Sequence, residues 1–394
     1  MSEWKKVKLG EICNIKSGKR LPKGCDFSDI PTKYKYIRAR DIKNGIINGE
    51  ELAYISEETQ HKISKYIVNS DDIVITIVGA SVGDVAYVSS LYNGVNLTEN
   101  AVRLTQFNED VNSRYLFYIL NSPNYYQLMQ RIAGGAAQPK MGIYKVEAIE
   151  VYLPSFPTQT RIATILSRYD SLIENYQKQI KLLEEAAQRL YKEWFIDLRF
   201  PGHENTKIVD GVPEGWEKKT IGDIVVYHDK QRKPLSSMQR MNMEKIYPYY
   251  GAAALMDYVD SYLFDGIYLL FGEDGTVITP DNFPVLQYVW GKFWVNNHAH
   301  VIRGIDGVST EFLYSMFKEM PIADVVTGAA QPKISQGRLS DKKILMPSLK
   351  LIQEWSCTAK HYFGRIRMIT DQIRHLTEAR DRMFPKLLSG EIEV

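Results

Sequence analysis

The phrase GAAQPK occurs at residues 135–140 and again, letter for letter, at residues 328–333, an offset of 193. An internal repeat constrains a fold more tightly than composition does, because each copy must build the same kind of unit. The offset persists downstream: Pro154-Ser155 returns as Pro347-Ser348, and Gln179-Ile180 as Gln372-Ile373. Leu183, Glu185, Ala186 and Arg189 return as Leu376, Glu378, Ala379 and Arg382. Upstream, WKKVKLGEI at residues 4–12 resembles WEKKTIGDI at residues 216–224, an offset of 212, so the first copy is 19 residues longer in its middle. Ends that match and middles that differ describe one frame carrying two different surfaces.

Each copy closes on a long helix. From Ile162, spacings of 4 and 3 pick out Leu166, Tyr169, Ile173, Tyr176, Ile180, Leu183, Ala187, Leu190 and Trp194. Moved by 193, the walk gives Trp355, Ala359, Tyr362, Ile366, Ile369, Ile373, Leu376, Arg380, Met383 and Leu387, where only Arg380 breaks the apolar stripe. Alternating spacings of 3 and 4 keep one narrow seam facing a partner helix. Two amphipathic helices each covering its own domain would also carry a stripe, but two seams in matching phase favour packing on each other. A two-fold relation between the copies makes that pair antiparallel and turns it into a spacer. Pro157 marks the start of the first helix and Pro201-Gly202 its end; Ser348 caps the second and Ser389-Gly390 stops it. Residues 159–197 would extend about 58 Å at 1.5 Å per residue.

Ahead of each helix, short β-branched runs alternate with turn signals, as in YIRARDIKNGIING (residues 36–49) and DGIYLLFGEDGTVIT (residues 265–279). Helices are expected over residues 113–132 and 309–317. The predicted fold class is α/β (α+β), a pseudo-two-fold tandem repeat. It places α/β domains at residues 1–155 and 214–347, spacer helices at 156–200 and 348–394, and a linker at 201–213, the helices forming an antiparallel two-helix coiled coil.

Composition narrows the class. The chain has 394 residues, 44% hydrophobic and 24% charged, which suits a soluble globular protein. No stretch approaches the roughly 20 apolar residues of a membrane helix; the best run, IVITIVGASVG, stops at Asp84 and reads as a buried strand. The N-terminal MSEWKKVKLG lacks the apolar core of a secretory signal. Cys13, Cys25 and Cys357 form no CxxC and cannot all pair, so a cytoplasmic location is expected. The net charge of +2 averages over two basic concentrations, an excess of +7 in residues 1–43 and of +4 in residues 218–245. Local excesses of this kind matter to a polyanion more than the total does.

Signs of catalysis are missing from the sequence. It has no Pro-Pro pair, so the N-P-P-[YF] site of amino-methyltransferases is absent, and SGKR at residues 17–20 lacks the glycine and hydroxyl of a phosphate loop. Pro280-Asp281 has no E-x-K at a nuclease spacing. His298 and His300 would share a strand face, but no cysteine or third histidine lies nearby, so no metal site is read. A binding protein is expected.

Several phrases resemble specificity subunits of type I restriction-modification systems. They are the run from GAAQPK through VYLPS to RIATIL (residues 135–166), VPEGWE (212–217), FWVNNHAHVI (293–302) and KLLSGEIEV (386–394). The ordered set spans essentially the whole chain. The resemblance implies two target-recognition domains, each reading one half of a split, asymmetric site in double-stranded DNA, spaced by the helical pair. It implies docking of two methyltransferase subunits for adenine methylation, and of restriction-translocase subunits in the full complex. S-adenosylmethionine and ATP with Mg would then be bound by the partners, leaving this chain without a cofactor. Arg380 is the main departure; the pairing survives if it faces Ala187 or a carboxylate. Competing readings are a duplicated adaptor for a non-DNA ligand and a single-chain nuclease or methyltransferase with an unfamiliar site.

Against that background, GAAQPK has two readings. Its small residues permit a tight entry to the helix, or Gln138 and Gln331 reach bases while Lys140 and Lys333 meet phosphates. The basic runs KSGKRLPK, with Lys16, Lys19, Arg20 and Lys23, and KQRK, with Lys230, Gln231, Arg232 and Lys233, hold corresponding places as phosphate contacts. Lys35 and His298 complete the candidate DNA-binding set with Arg38 and Arg40. The two arginines are expected on one strand face, either reading guanine or pairing with Asp41.

Overall fold

A computed structural model describes residues 4–49, 52–134, 139–328 and 331–392. The chain divides into two compact units, Met1–Leu172 with Leu376–Val394, and Ile173–His375. Each unit thus holds one α/β domain and a stretch of both long helices.

The two α/β domains share their sheet topology. In the first, a four-stranded antiparallel sheet runs in the order Asn14–Ser17, Ala101–Thr105, Ile73–Thr76, Val85–Tyr87; in the second the order is Val225–Tyr227, Ala299–Gly304, Tyr268–Gly272, Leu286–Val289. A smaller sheet centres on Lys35–Ile37 or Tyr247–Tyr250. Each central strand pairs antiparallel on one side, with Ala53–Tyr54 or Leu255–Val259, and parallel on the other, with Asn96–Leu97 or Lys292–Val295. A ribbon of Lys5–Lys8 with Glu150–Leu153, and of Glu217–Thr220 with Lys343–Met346, ties the start of each domain to its end. The registers match too: Leu104 opposes Ile15 as Ile302 opposes Tyr227, and Ala101 opposes Thr76 as Ala299 opposes Gly272. Ile73, Val74 and Ile75 are fully buried, as are Leu269, Leu270 and Phe271, because the central strand of each sheet is covered on both faces.

The middles diverge. The single helix expected over residues 113–132 is two, Ser113–Leu120 and Pro123–Ala133. Pro123 cannot donate to a continuing ladder, so it opens a new helix instead. The second domain has only Thr310–Lys318 at this place, followed by a 3₁₀ turn at Ala323–Val325. The first domain also carries a hairpin, Ile42–Lys43 against Ile46–Ile47, turned at Asn44-Gly45 with φ of 54° and 82°. Just before it, the strand stops at Ile37 and Ala39–Asp41 is a 3₁₀ turn, so Arg38 and Arg40 do not share a strand face.

The first long helix spans Phe156–Tyr191 and ends in a π turn, Lys192–Ile196; the second spans Leu349–Ser389. Ser155 and Ser348 offer their hydroxyls to the amides of Thr158 and Leu351, each at 3.4 Å, and Gly390 takes a φ of 73° just past the second helix. Every expected seam position is buried or half-buried. In the first unit Ile162 and Leu166 share a core with Leu387, and Met383 packs against it; in the second, Ala187 and Tyr191 share one with Trp355 and Ala359. The two helices therefore pair antiparallel. Arg380 meets a carboxylate, its guanidinium 2.9 Å from Asp170, which also accepts the Tyr118 hydroxyl at 2.5 Å. The charge in the seam is partnered, so the stripe continues through it.

Candidate nucleic-acid interface

At one end of each four-stranded sheet, four chain segments meet. In the first domain the chain leaves Asn14–Ser17 through Gly18, whose amide donates to the Ala101 carbonyl at 3.1 Å, while the Lys19 amide donates to Leu97 at 2.8 Å. A Cβ on Gly18 would lie 2.1 Å from the Thr98 carbonyl oxygen, so only glycine lets the basic loop approach this closely. The Tyr36 hydroxyl, pushed up to about 12 by burial and so kept as a donor, bonds the Lys19 carbonyl at 2.7 Å. The amide of Ile77 bonds the Asn100 carbonyl at 2.8 Å. Gly79 then receives the repeated phrase, its amide bonding Pro139 at 3.0 Å while the Met141 amide bonds Ile77 at 2.9 Å.

The second domain repeats this corner. The Lys233 amide donates to Val295 at 3.4 Å, the Glu273 amide to His298 at 2.9 Å, the Gly275 amide to Pro332 at 3.2 Å and the Ile334 amide to Glu273 at 2.8 Å. In both domains, then, basic run, strand turn, central-strand exit and the Pro-Lys end of the repeated phrase converge. Gly328 has a φ of 83°, a conformation for which the glycine of the phrase is needed.

Of the residues singled out from sequence, Lys19, Arg20 and Lys23 are exposed on the basic segment of the first corner, and Lys140 is exposed beside it. Lys16 is exposed on the strand leading there, opposite Arg103. Arg20 lies 3.2 Å from Glu99 with its side chain largely in solvent. Gln138 falls outside the described residues. In the second corner Lys230, Gln231, Lys233, Gln331, Lys333 and His298 are exposed, and His298 pairs with Asp274 at 2.5 Å. Lys35 is half-buried on the small sheet.

Two arginines are otherwise engaged. Arg38 grips Asp41 with two 2.9 Å bonds, leaving Arg40 as the exposed member of the pair. Arg232 is only 12% exposed and is held by Glu273 at 2.6 Å and the Ala299 carbonyl at 2.7 Å. Its guanidinium is consumed inside the domain.

Sequence spacing gave no sign of the cluster around Arg232. His300, which is 2% exposed, places Nδ1 2.6 Å from Asp229 and 3.6 Å from Glu273, and Nε2 2.9 Å from the Ile334 carbonyl. Burial pulls the Asp229 carboxyl upward, but His300, the Val301 amide and Arg232 outweigh it and hold the group below its ordinary value. Asp229, Glu273 and His300 are, among the described residues, the one trio spaced to ligate a metal. The carboxylate oxygens of the trio already face Arg232, the Val301 amide and Lys333, so the trio does not fit a metal centre.

A duplicated α/β frame with a basic corner on each copy and an antiparallel helical spacer defines a two-headed binding protein. The family model described as the type I restriction modification DNA specificity domain matches residues 1–185 and 213–365, and the chain belongs to that family. The MjaIX specificity subunit of Methanocaldococcus jannaschii is 26% identical over 99% of this chain and 93% of its own length. The HindI specificity subunit of Haemophilus influenzae is 20% identical with full coverage of both. The crystal structure of the type I restriction-modification S subunit from M. genitalium shares the fold, with a TM-score of 0.60, 17% identity, and coverage of 98% of this chain and 96% of that one. The protein is a specificity subunit, the non-catalytic DNA-recognition component of a restriction-modification complex, with two recognition domains. Among the described residues no helix is long and apolar enough to cross a membrane.

Proposed function

We propose that each recognition domain reads one half of a bipartite, asymmetric site in double-stranded DNA through its four-segment corner. The observation that carries this is the convergence, in both domains, of a basic run with the Pro-Lys end of the repeated phrase at the same end of the same sheet. The exposed Lys19, Arg20, Lys23 and Lys140 in one corner, and Lys230, Lys233 and Lys333 in the other, are the candidates for phosphate contacts. Gln231 and Gln331, with His298, are the candidates for base edges in the second half-site. Lys16, Lys35 and Arg40 are peripheral contacts, while Arg38 and Arg232 serve the fold. The helical pair sets the distance between half-sites and docks two methyltransferase subunits for adenine methylation, with nuclease-translocase subunits completing a restricting complex in the cytoplasm. Methyl donor and ATP with Mg belong to those partners.

Domain exchange tests this reading. Replacing residues 1–155 by the matching domain of a relative, in a host carrying the partner methyltransferase, should change one half of the methylated site and keep the other half and the gap. Methylome sequencing reads the outcome, and a swap that rewrites both halves overturns the proposal.

A further inference from the structure

The shared registers allow the two corners to be compared residue by residue. Ser17, Val102 and Ile77 of the first domain occupy the places of Asp229, His300 and Glu273 in the second. Among the described residues, two equivalent backbone bonds hold the phrase in each corner, Gly79 to Pro139 with Met141 to Ile77, and Gly275 to Pro332 with Ile334 to Glu273. The first corner backs these with apolar packing, since Val102 is fully buried and Ile77 nearly so. The second adds two links from its buried network. His300 Nε2 lies 2.9 Å from the Ile334 carbonyl while Nδ1 is anchored on Asp229, and Glu273 reaches Lys333 at 3.6 Å. Asp229 is itself held by the Val301 amide at 2.9 Å, and Glu273 by Arg232 at 2.6 Å.

We infer that His300 is a positioning residue for the second half-site: strung between Asp229 and the Ile334 carbonyl, it fixes the segment that presents Gln331 and Lys333. The inference rests on the proposed reading of DNA by the corners. A side chain that is buried and bonded at both ends transmits the rigidity of the sheet to the loop, and a recognition group is useful only when its support keeps it in place. Among the described residues the first corner has no such link, so the two halves should respond differently to the same kind of damage.

Two variants separate the ends of the imidazole. In His300→Gln the amide nitrogen takes the place of Nε2 and keeps the Ile334 bond. His300→Asn puts its amide at the Nδ1 position, keeping Asp229 and losing Ile334. With the methyltransferase complex and duplexes varied at one half-site at a time, H300N should lower base discrimination in the second half by about fivefold, the size expected from one lost hydrogen bond. Discrimination in the first half should be unchanged, and H300Q should restore the second. Without DNA, the amides of Gln331, Lys333 and Ile334 should exchange faster in H300N, and those of Lys140 and Met141 should not. Glu273→Gln, nearly isosteric, releases Lys333 while its amide oxygen can still accept from Arg232, and in protein that remains folded should give a smaller loss, again confined to the second half. A folded H300N with wild-type discrimination and exchange refutes the inference, as does equal loss in both halves or in both His300 variants. Gln331→Ala with Lys333→Ala is the control on the underlying reading. If that double variant leaves the second half-site untouched, the corner does not read DNA, and this failure is separate from that of His300.

Discussion

The two recognition domains reach the same backbone by different chemistry. Where the first fills its corner with Ser17, Val102 and Ile77, the second uses Asp229, His300, Glu273 and Arg232, yet strand order and register agree. Where the first lays the helix Pro123–Ala133 against its core, the second leaves an apolar pocket of about 310 Å³ lined in part by Tyr191, Phe195, Trp216 and Met316. The frame is specified by alternation and turn chemistry, which many side-chain sets satisfy. What fills the frame is free to vary, and the surfaces presented to a ligand vary with it.

The sharpest way to break the symmetry is at the equivalent seam residues Ile162 and Trp355. Both are buried, but Trp355 also meets Tyr191 edge-on at 5.8 Å and Phe312 at 5.8 Å, joining the helical pair to the domain. Trp355→Ala should cost about 3–5 kcal/mol and Ile162→Ala about 2–4 kcal/mol, each in its own unit. Hydrogen exchange resolved by segment measures this, and equal destabilisation of both units by either variant would contradict two separate cores.

Acid should come next, with opposite signs at the buried carboxyls of the two domains. Asp229 is held below its ordinary value, so its stabilisation is complete above about pH 4 and is lost as pH falls through the depressed value. Asp72 in the first domain is raised by burial, against the Asn69 amide, Thr105 and Arg103, and Asp84 is raised by burial against Lys43. Groups raised in the fold favour it when protonated, and that contribution is lost as pH climbs past the unfolded value. Between pH 5 and pH 3 the second domain should therefore weaken relative to the first. Exchange rates corrected for intrinsic chemistry measure this; a first domain that weakens more would reverse the assignment.

Legibility followed the range of the interactions. The seam was legible because helix periodicity is local, and even the departure at Arg380 pointed to its remedy, since a charge in a seam needs a carboxylate and Asp170 supplies one. The buried strand at Ile73–Thr76 was legible from its β-branched run. The split at Pro123 was written in the sequence but outweighed by the apolar spacing around it. The bond network of His300 was not legible: Asp229, Glu273 and Ile334 reach it only through sheet register and loop return. For the same reason the exposed-looking Arg232 of a basic run is in fact enclosed.

Arg380→Ala tests whether the seam charge strengthens the pairing or is merely tolerated. The equivalent position on the first helix is Ala187, which is buried without a charge. Asp170 keeps the Tyr118 hydroxyl after the change, so no carboxylate is stranded. The pair is partly exposed on both sides, which places the loss at about 1 kcal/mol. Urea titration followed in the first unit measures it. A gain in stability would mean that the seam prefers alanine at both places.

The smallest effect is expected where the domains differ most visibly. Tyr125, on the helix present only in the first domain, packs on that core and donates its hydroxyl to the Glu150 carbonyl at 2.9 Å. Glu150 and Lys8 form a non-hydrogen-bonded pair of the ribbon, beside the Leu9 amide's bond to Ile149 at 3.0 Å, so that carbonyl points away from the partner strand and the Lys8 amide turns to Glu11 at 3.0 Å. In the second domain Lys343 opposes Thr220, whose amide has likewise turned to Asp223 at 2.7 Å, and Lys343 lines the open pocket. The second domain is thus built with no tyrosine at this place. Tyr125→Phe keeps the ring and removes only the hydroxyl, leaving the carbonyl of the exposed Glu150 to water in its place. The cost should be about 0.5 kcal/mol, at the low end for a single hydrogen bond. Thermal unfolding of the variant against wild type measures it, and a loss several times larger would mean that the extra helix bolts the first domain together in a way its duplicate never required.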